Sequence, residues 1–161
     1  EVTPRNNRLA WLTGFTGSAG FCAVLRREVG IFVDGRYRIQ VRNETHSAFD
    51  PVDWPETDLS TWLGDRLAPG ARVGFDPWLH SFREIDQLKS KLAKAEIELE
   101  PTQKLVDRIS DDQPDDPLSP VAIHPLEFAG EQQDRKRNRL CKELRIQNID
   151  AVVLTLLDSV A

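Results

Sequence analysis

The stretch TGFTGSAGFCAVL, residues 13–25, places glycine at positions 14, 17 and 20 and then runs directly into an apolar segment. Glycine at this spacing either lets backbone N–H groups close on a phosphate or lets the chain make a tight connection that a side chain would block. A dinucleotide fingerprint reads GxGxxG and a P-loop reads GxxxxGK[ST]. GFTGSAG has GxxGxxG spacing, carries no lysine after its last glycine, and leads into β-branched and aromatic residues where a phosphate loop would open a helix. The stretch therefore reads as a scaffold turn that fixes how the following strands enter a sheet.

Strands and helices alternate beyond it. FCAVLRREVGIFVDG reads as two strands reversing around Arg26–Glu28, and GRYRIQVRNET continues as a helix with Tyr37, Ile39 and Val41 on its apolar side. RLAWLTGF, upstream, is short and apolar and reads as a strand entering the glycine turn. FDPVDWPETD reads as a loop from its proline and aspartate. A helix follows in DLSTWLGDRLAPG, with Asp58 as its cap, Leu59, Trp62, Leu63 and Leu67 on one face, and Pro69–Gly70 as its stop. ARVGFD is the next strand. SFREIDQLKSKLAKA is the clearest helix, because Ser81 and Glu84 have capping-box spacing and Ile85, Leu88 and Leu92 form a stripe. EIELEP closes this set as a strand.

Residues 111–123 are acidic and proline-rich and read as a linker. A charged helix, GEQQDRKRNRLCKELRIQNID, then turns Leu140, Leu144 and Ile149 inward and leads to an apolar strand in DAVVLTLLDSVA. The expectation is an α/β domain over 1–110, the linker 111–123, and the beginning of a second domain of similar architecture over 124–161. The absence of methionine, even at position 1, and the abrupt end after an apolar strand suggest part of a longer polypeptide.

Candidate chemistry is sparse. His46, His80 and His124 are scattered outside any HExxH-like pattern, and SDDQPDDP lacks the alternation and central glycine of a calcium loop. No metal ligand and no catalytic residue is expected in this chain. Cys22 and Cys141 lack CxxC spacing and read as buried, reduced thiols. A formal charge of −5 argues against a general nucleic-acid partner, and no apolar run reaches the roughly 20 residues of a membrane span. Neither a nucleic-acid nor a membrane partner is expected. One group stands out: in FVDGRYRIQ a strand runs into Asp-Gly and then Arg36, which presents a planar fork of donors at a strand end. From the residues alone, Arg36 either forms a structural ion pair with Asp34 or offers its fork to a carboxylate or peptide carbonyl.

Taken in order, RNNRLAWLTGFTGSAG, FVDGRYRIQ, VGFDP, KLVDRI, HPLEFAG and VVLTLLDSVA resemble the N-terminal part of three-domain Xaa-Pro aminopeptidases, of the creatinase/prolidase-like metallopeptidases. The resemblance covers nearly the whole chain. It implies a creatinase-type N-terminal domain, a mixed β-sheet flanked by helices on both faces, followed by a second domain of the same kind. It implies a cytoplasmic, homodimeric parent enzyme that removes the residue preceding a proline from peptide substrates. The family's two divalent metals, manganese or zinc, are held by Asp, Asp, His, Glu and Glu in a third domain that this chain lacks. Matching the family's Asp-Gly-Arg-Tyr motif residue by residue makes Arg36 a substrate-binding residue. Two departures stand out: the family's opening helix and strand are missing, and Ser110 occupies a position where relatives often carry tryptophan. The alternative implied by the same fold is a catalytically dead module that binds protein partners.

Overall fold

A computed structural model describes residues 2–116 and 118–156. The chain divides into two compact units, Glu1–Pro117 and Leu118–Ala161.

The first unit is built around β2 (Val29–Val33), a strand buried along nearly its whole length. Burial on both faces is why VGIFV is a continuous apolar run instead of an alternating one. Strand β1 (Gly20–Val24) pairs with it antiparallel, Cys22 opposite Ile31, and β3 (Phe49–Asp53) pairs on the other side in parallel, Phe32 opposite Val52. The result is a mixed three-stranded sheet. Strand β4 (Arg72–Phe75) and β5 (Glu98–Pro101) form a separate parallel pair.

Because side chains alternate along β2, its two faces carry different clusters. Phe32 on one face is joined by Trp62 and Leu63 of α3 (Leu59–Gly64), Leu92 of α4 (Phe82–Leu92), and Ile97. Its ring is stacked on Phe21 with centroids 4.6 Å apart and meets the edge of Trp62 at 5.6 Å. Each such aromatic pair contributes roughly 0.5–1.5 kcal/mol beyond the area it buries. Ile31 and Val33 on the other face pack with Phe15 and with Val41 of α2 (Arg38–Glu44), flanked by Leu9, Tyr37 and Phe49. Helices thus cover both faces of the sheet, as the resemblance implied.

Several local expectations are corrected. RLAWLTGF is a helix, α1 (Arg8–Thr13), and not a strand. The Asn7 side chain accepts a hydrogen bond from the Ala10 N–H, and Gly14 ends the helix in the left-handed region at φ 80°. FDPVDWPETD contains β3 where a loop was expected. Pro51, which cannot donate to a ladder, is tolerated because β3 lies at the sheet's edge. The Trp54–Pro55 bond after it is cis. Ile39 is 78% exposed and does not join the apolar side of α2, which rests on Val41 and Tyr37. Helix α3 ends at Gly64, well short of Pro69–Gly70, while Asp58 caps its start as expected. The capping box of α4 is present in both directions: the Glu84 N–H reaches Ser81 Oγ and the Ser81 N–H reaches Glu84 Oε2.

Residues 111–116, within the segment read as a linker, are fastened to the start of the same unit. Arg5 pairs with Asp116 at 3.2 Å and Trp11 Nε1 donates to Asp112 at 2.6 Å. Gln113 Nε2 donates to the Arg5 carbonyl at 2.9 Å. Arg8 of α1 pairs with Asp107 of α5 (Leu105–Ile109) through Nε and Nη2, the latter at 2.7 Å from Oδ2. Ser110 lines a cavity of about 20 Å³ in this corner, beside Trp11 and Val106. Its buried Oγ has no hydrogen-bond partner among the described residues. A residue larger than serine would occupy that space.

The second unit holds α6 (Leu126–Ala129), ended by Gly130 at φ 74°, and α7 (Gln133–Ile146). Helix α7 is the charged helix expected, but Leu140 and Ile149 stay 39% and 44% exposed. The expected strand over DAVVLTLLDSVA is not formed in 151–156, where Val153 and Leu156 are exposed and no ladder partner is present among the described residues. The remainder of that stretch, 157–161, lies outside the described residues.

Candidate functional site

Two parallel strands, β2 and β3, end side by side at Val33 and Asp53. The carboxyl ends of parallel strands are where α/β sheets open a crevice, since the chain must turn away there to begin a helix. Asp34-Gly35-Arg36-Tyr37 makes that turn after β2, closed by the Tyr37 N–H donating to the Asp34 carbonyl at 3.0 Å. Helix α2 starts at the next residue.

Arg36 is held by its neighbour two residues back. Its Nε lies 3.0 Å from Asp34 Oδ1 and 3.2 Å from Oδ2, its Nη2 lies 2.7 Å from Oδ2, and its backbone N–H donates to Oδ1 at 3.0 Å. The side chain of Arg36 is nevertheless 67% exposed, against 19% for Asp34. The side-chain and backbone hydrogen bonds from Arg36 hold the Asp34 carboxyl below the usual carboxylate range, and the same carboxylate raises the guanidinium further above neutrality. Both partners stay charged over any physiological pH. The ion pair and the exposed donor, alternatives in the sequence, coexist in one geometry.

The ring of Tyr37 lies 5.1 Å from the guanidinium carbon, and its hydroxyl meets Ser18 Oγ at 2.7 Å. Ser18 belongs to the glycine turn, so that turn supports the platform on which Arg36 rests. The turn is itself anchored by Glu44 at the end of α2. Glu44 Oε2 accepts from the Thr16 N–H at 2.8 Å, Oε1 accepts from Thr16 Oγ1 at 2.9 Å, and Gln40 Nε2 donates to Oε1 at 2.9 Å. The backbone hydrogen bond from Thr16 holds the Glu44 carboxyl below its ordinary value. Within the turn, Gly17 faces the buried Phe15 ring so closely that a Cβ would lie 2.2 Å from Cζ. The Thr16 N–H thus serves the protein's own carboxylate and the Phe15 N–H the Thr13 hydroxyl, in keeping with a scaffold role.

On the other flank, Arg38 sits 3.1 Å from Asp53 and is hydrogen-bonded to Glu56. Trp54, 41% exposed, follows at the end of β3. Sequence reasoning singled out Arg36, considered Asp34 and placed Tyr37 in the motif and on an apolar helix side, but passed over Ser18, Gln40 and Glu44. Gln40 and Glu44 are one helical turn apart, a spacing that signals a shared face. Nothing in the sequence links Ser18 to Tyr37, 19 positions away.

No group of three or more His, Cys, Asp or Glu is placed to hold a metal ion among the described residues. These residues therefore do not fit a metal centre. No helix among the described residues is long and apolar enough to cross a membrane.

Residues 2–109 match the profile of the Creatinase/Prolidase N-terminal domain, and residues 112–161 match a second profile of the same description. Aminopeptidase P1 of Arabidopsis thaliana is 32% identical over 99% of this chain and 25% of its own length. Aminopeptidase P2 of the same plant is 34% identical over 96% of this chain and 22% of its own length. The chain thus spans about a quarter of the length of the curated relatives it matches. Among solved structures, X-prolyl aminopeptidase from Caenorhabditis elegans, a cytosolic enzyme with a di-nuclear active site, is 30% identical with a TM-score of 0.79, covering 99% of this chain and 27% of that one. The N-terminal domain of the cytoplasmic peptidase PepQ from Mycobacterium tuberculosis shares the fold at 22% identity and a TM-score of 0.54, over 65% of this chain and 81% of that one.

Proposed function

The chain belongs to the creatinase/prolidase N-terminal domain family, and on that premise we propose that it is the non-catalytic N-terminal region of a cytoplasmic Xaa-Pro aminopeptidase. Its role is to shape one wall of the substrate cleft and to contact the peptide through Arg36. The observation that carries this reading is the guanidinium of Arg36, fixed by Asp34 and Tyr37 yet two-thirds exposed at the carboxyl end of a parallel strand pair. A purely structural ion pair gains little from such exposure, since screening by water leaves surface pairs worth about 0–1 kcal/mol. An exposed fork of donors, by contrast, is what a peptide main chain requires.

In this reading the chemistry belongs to a further domain of the full-length protein, where two divalent metal ions supply an activated water. This region binds and orients. Homodimerisation of the full-length protein is part of the same proposal. The test is hydrolysis of Xaa-Pro peptides by the full-length protein and its Arg36→Ala variant. The variant is expected to lose about ten-fold in kcat/KM, mostly through KM, with an unchanged melting temperature. Full activity in Arg36→Ala would return the pair with Asp34 to a structural role. Absence of hydrolysis by the metal-loaded full-length protein would favour the protein-binding module instead.

A further inference from the structure

A guanidinium offers two forks: a side fork made by Nε and one Nη, and an end fork made by both Nη groups. Asp34 occupies the side fork of Arg36, through Nε at 3.0 and 3.2 Å and Nη2 at 2.7 Å. The additional bond from the Arg36 backbone N–H ties the carboxylate to the turn itself. Nη1 has no hydrogen-bond partner among the described residues, and the exposures of 67% and 19% put the carboxylate inside and the guanidinium outside. The end fork is therefore free and fixed in direction. Electrostatics narrow what it can take. Two cations, Arg36 and Arg38, face three carboxylates, Asp34, Asp53 and Glu56, so the site carries no excess positive charge.

Resting on the reading of Arg36 as a substrate contact, we infer that Asp34 is a positioning and specificity-determining residue, which aims the end fork outward and cancels its charge so that the site takes a neutral peptide carbonyl in preference to a free carboxylate. A carbonyl oxygen accepts from the Nη groups without bringing charge. A carboxylate at the same place would sit one guanidinium away from Asp34 and be repelled by it. The substrate class that follows is peptides that extend past the contacted residue, so that Arg36 meets a main-chain carbonyl and not the chain end.

The test uses the full-length protein and Xaa-Pro peptides of three to five residues, each as the free acid and as its C-terminal amide. The readout is the acid-to-amide ratio of kcat/KM, compared between wild type and Asp34→Asn. Asparagine keeps the shape and one acceptor oxygen but removes the charge. The ratio is expected to rise about three-fold, the factor that one charge several ångströms away gives in a largely solvated site, with the change in KM. Arg36→Gln, at an exposed side chain, is expected to lower the ratio by a similar factor. It provides the second reading if Asp34→Asn does not fold. A ratio unmoved in the folded variants, with both peptide forms still cleaved, overturns this inference alone. Failure of the wild type to cleave either form overturns the proposed function and the inference with it.

Discussion

Replacing Gly17 by alanine isolates what the glycine turn is for. Gly17 is not in the left-handed region, so alanine meets no backbone obstacle there. The added Cβ would lie 2.2 Å from Cζ of Phe15 and 2.8 and 2.9 Å from its Cε atoms. Ordinary carbon contacts are about 3.5–4.0 Å, so the ring must retreat by more than about 1 Å. Phe15 is 1% exposed and packed against Ile31, Val33 and Val41, with Tyr37 edge-on at 5.6 Å. The ring can retreat only against these neighbours, and overpacking of this kind costs about 1–3 kcal/mol. The upper end is expected here, about 3 kcal/mol. For a unit of this size that lowers the melting temperature by about 12 °C. Gly70→Ala is the matched control. Gly70 has φ 81° but nothing within 4 Å of a built Cβ, so it incurs only the conformational cost of about 1 kcal/mol, or about 4 °C. Both values can be read from urea or thermal unfolding followed by far-UV circular dichroism. If Gly17→Ala is no more destabilising than Gly70→Ala, close packing on Phe15 is not the reason for glycine at 17.

Two further outcomes follow from the charged corner and the thiol. The hydrogen bonds from Arg8 hold the Asp107 carboxyl below its ordinary value, so this pair stabilises the fold above the unfolded pKa of about 4 and loses its contribution as pH falls through the lower folded value. Asp107→Asn should therefore cost about 1–2 kcal/mol at pH 7, between a surface pair and a buried one, and progressively less as the pH falls below about 4; denaturant midpoints followed down in pH check it. Burial pushes the Cys22 thiol up to about 11. At pH 8 in a Cys141→Ser background, its reaction with an aromatic disulfide should be slower than in urea by roughly two orders of magnitude, and equal rates would contradict that burial.

The parts of the fold that the sequence made legible are those whose cause is local. The capping box at Ser81 and Glu84, the reversal at Arg26–Glu28 and the continuous apolar run of β2 each carry their own signal within a few residues. Helix α1 was misread because six residues are too few to display a period, although Asn7 and Gly14 flank it as caps. Strand β3 was hidden by Pro51, since edge position is a property of the sheet and not of the segment. At the candidate site, Arg36 was found through its motif, and the ion pair with Asp34 through their proximity in sequence. The support from Ser18, Tyr37 and Glu44 was not legible, because it depends on how the turn folds back across the sheet.

The fastening of residues 112–116 to Arg5 and Trp11 has a mechanical consequence. Residues 5–11 and 112–116 are joined at one corner, so a force drawing these two segments apart is borne first by one ion pair and a few hydrogen bonds, before any strand or apolar cluster feels it. Such a clasp opens bond by bond, while the sheet behind it stays intact. The same contacts make the stretch from Arg5 to Asp116 topologically a loop drawn closed at its neck, with the sheet and both apolar clusters inside the closure.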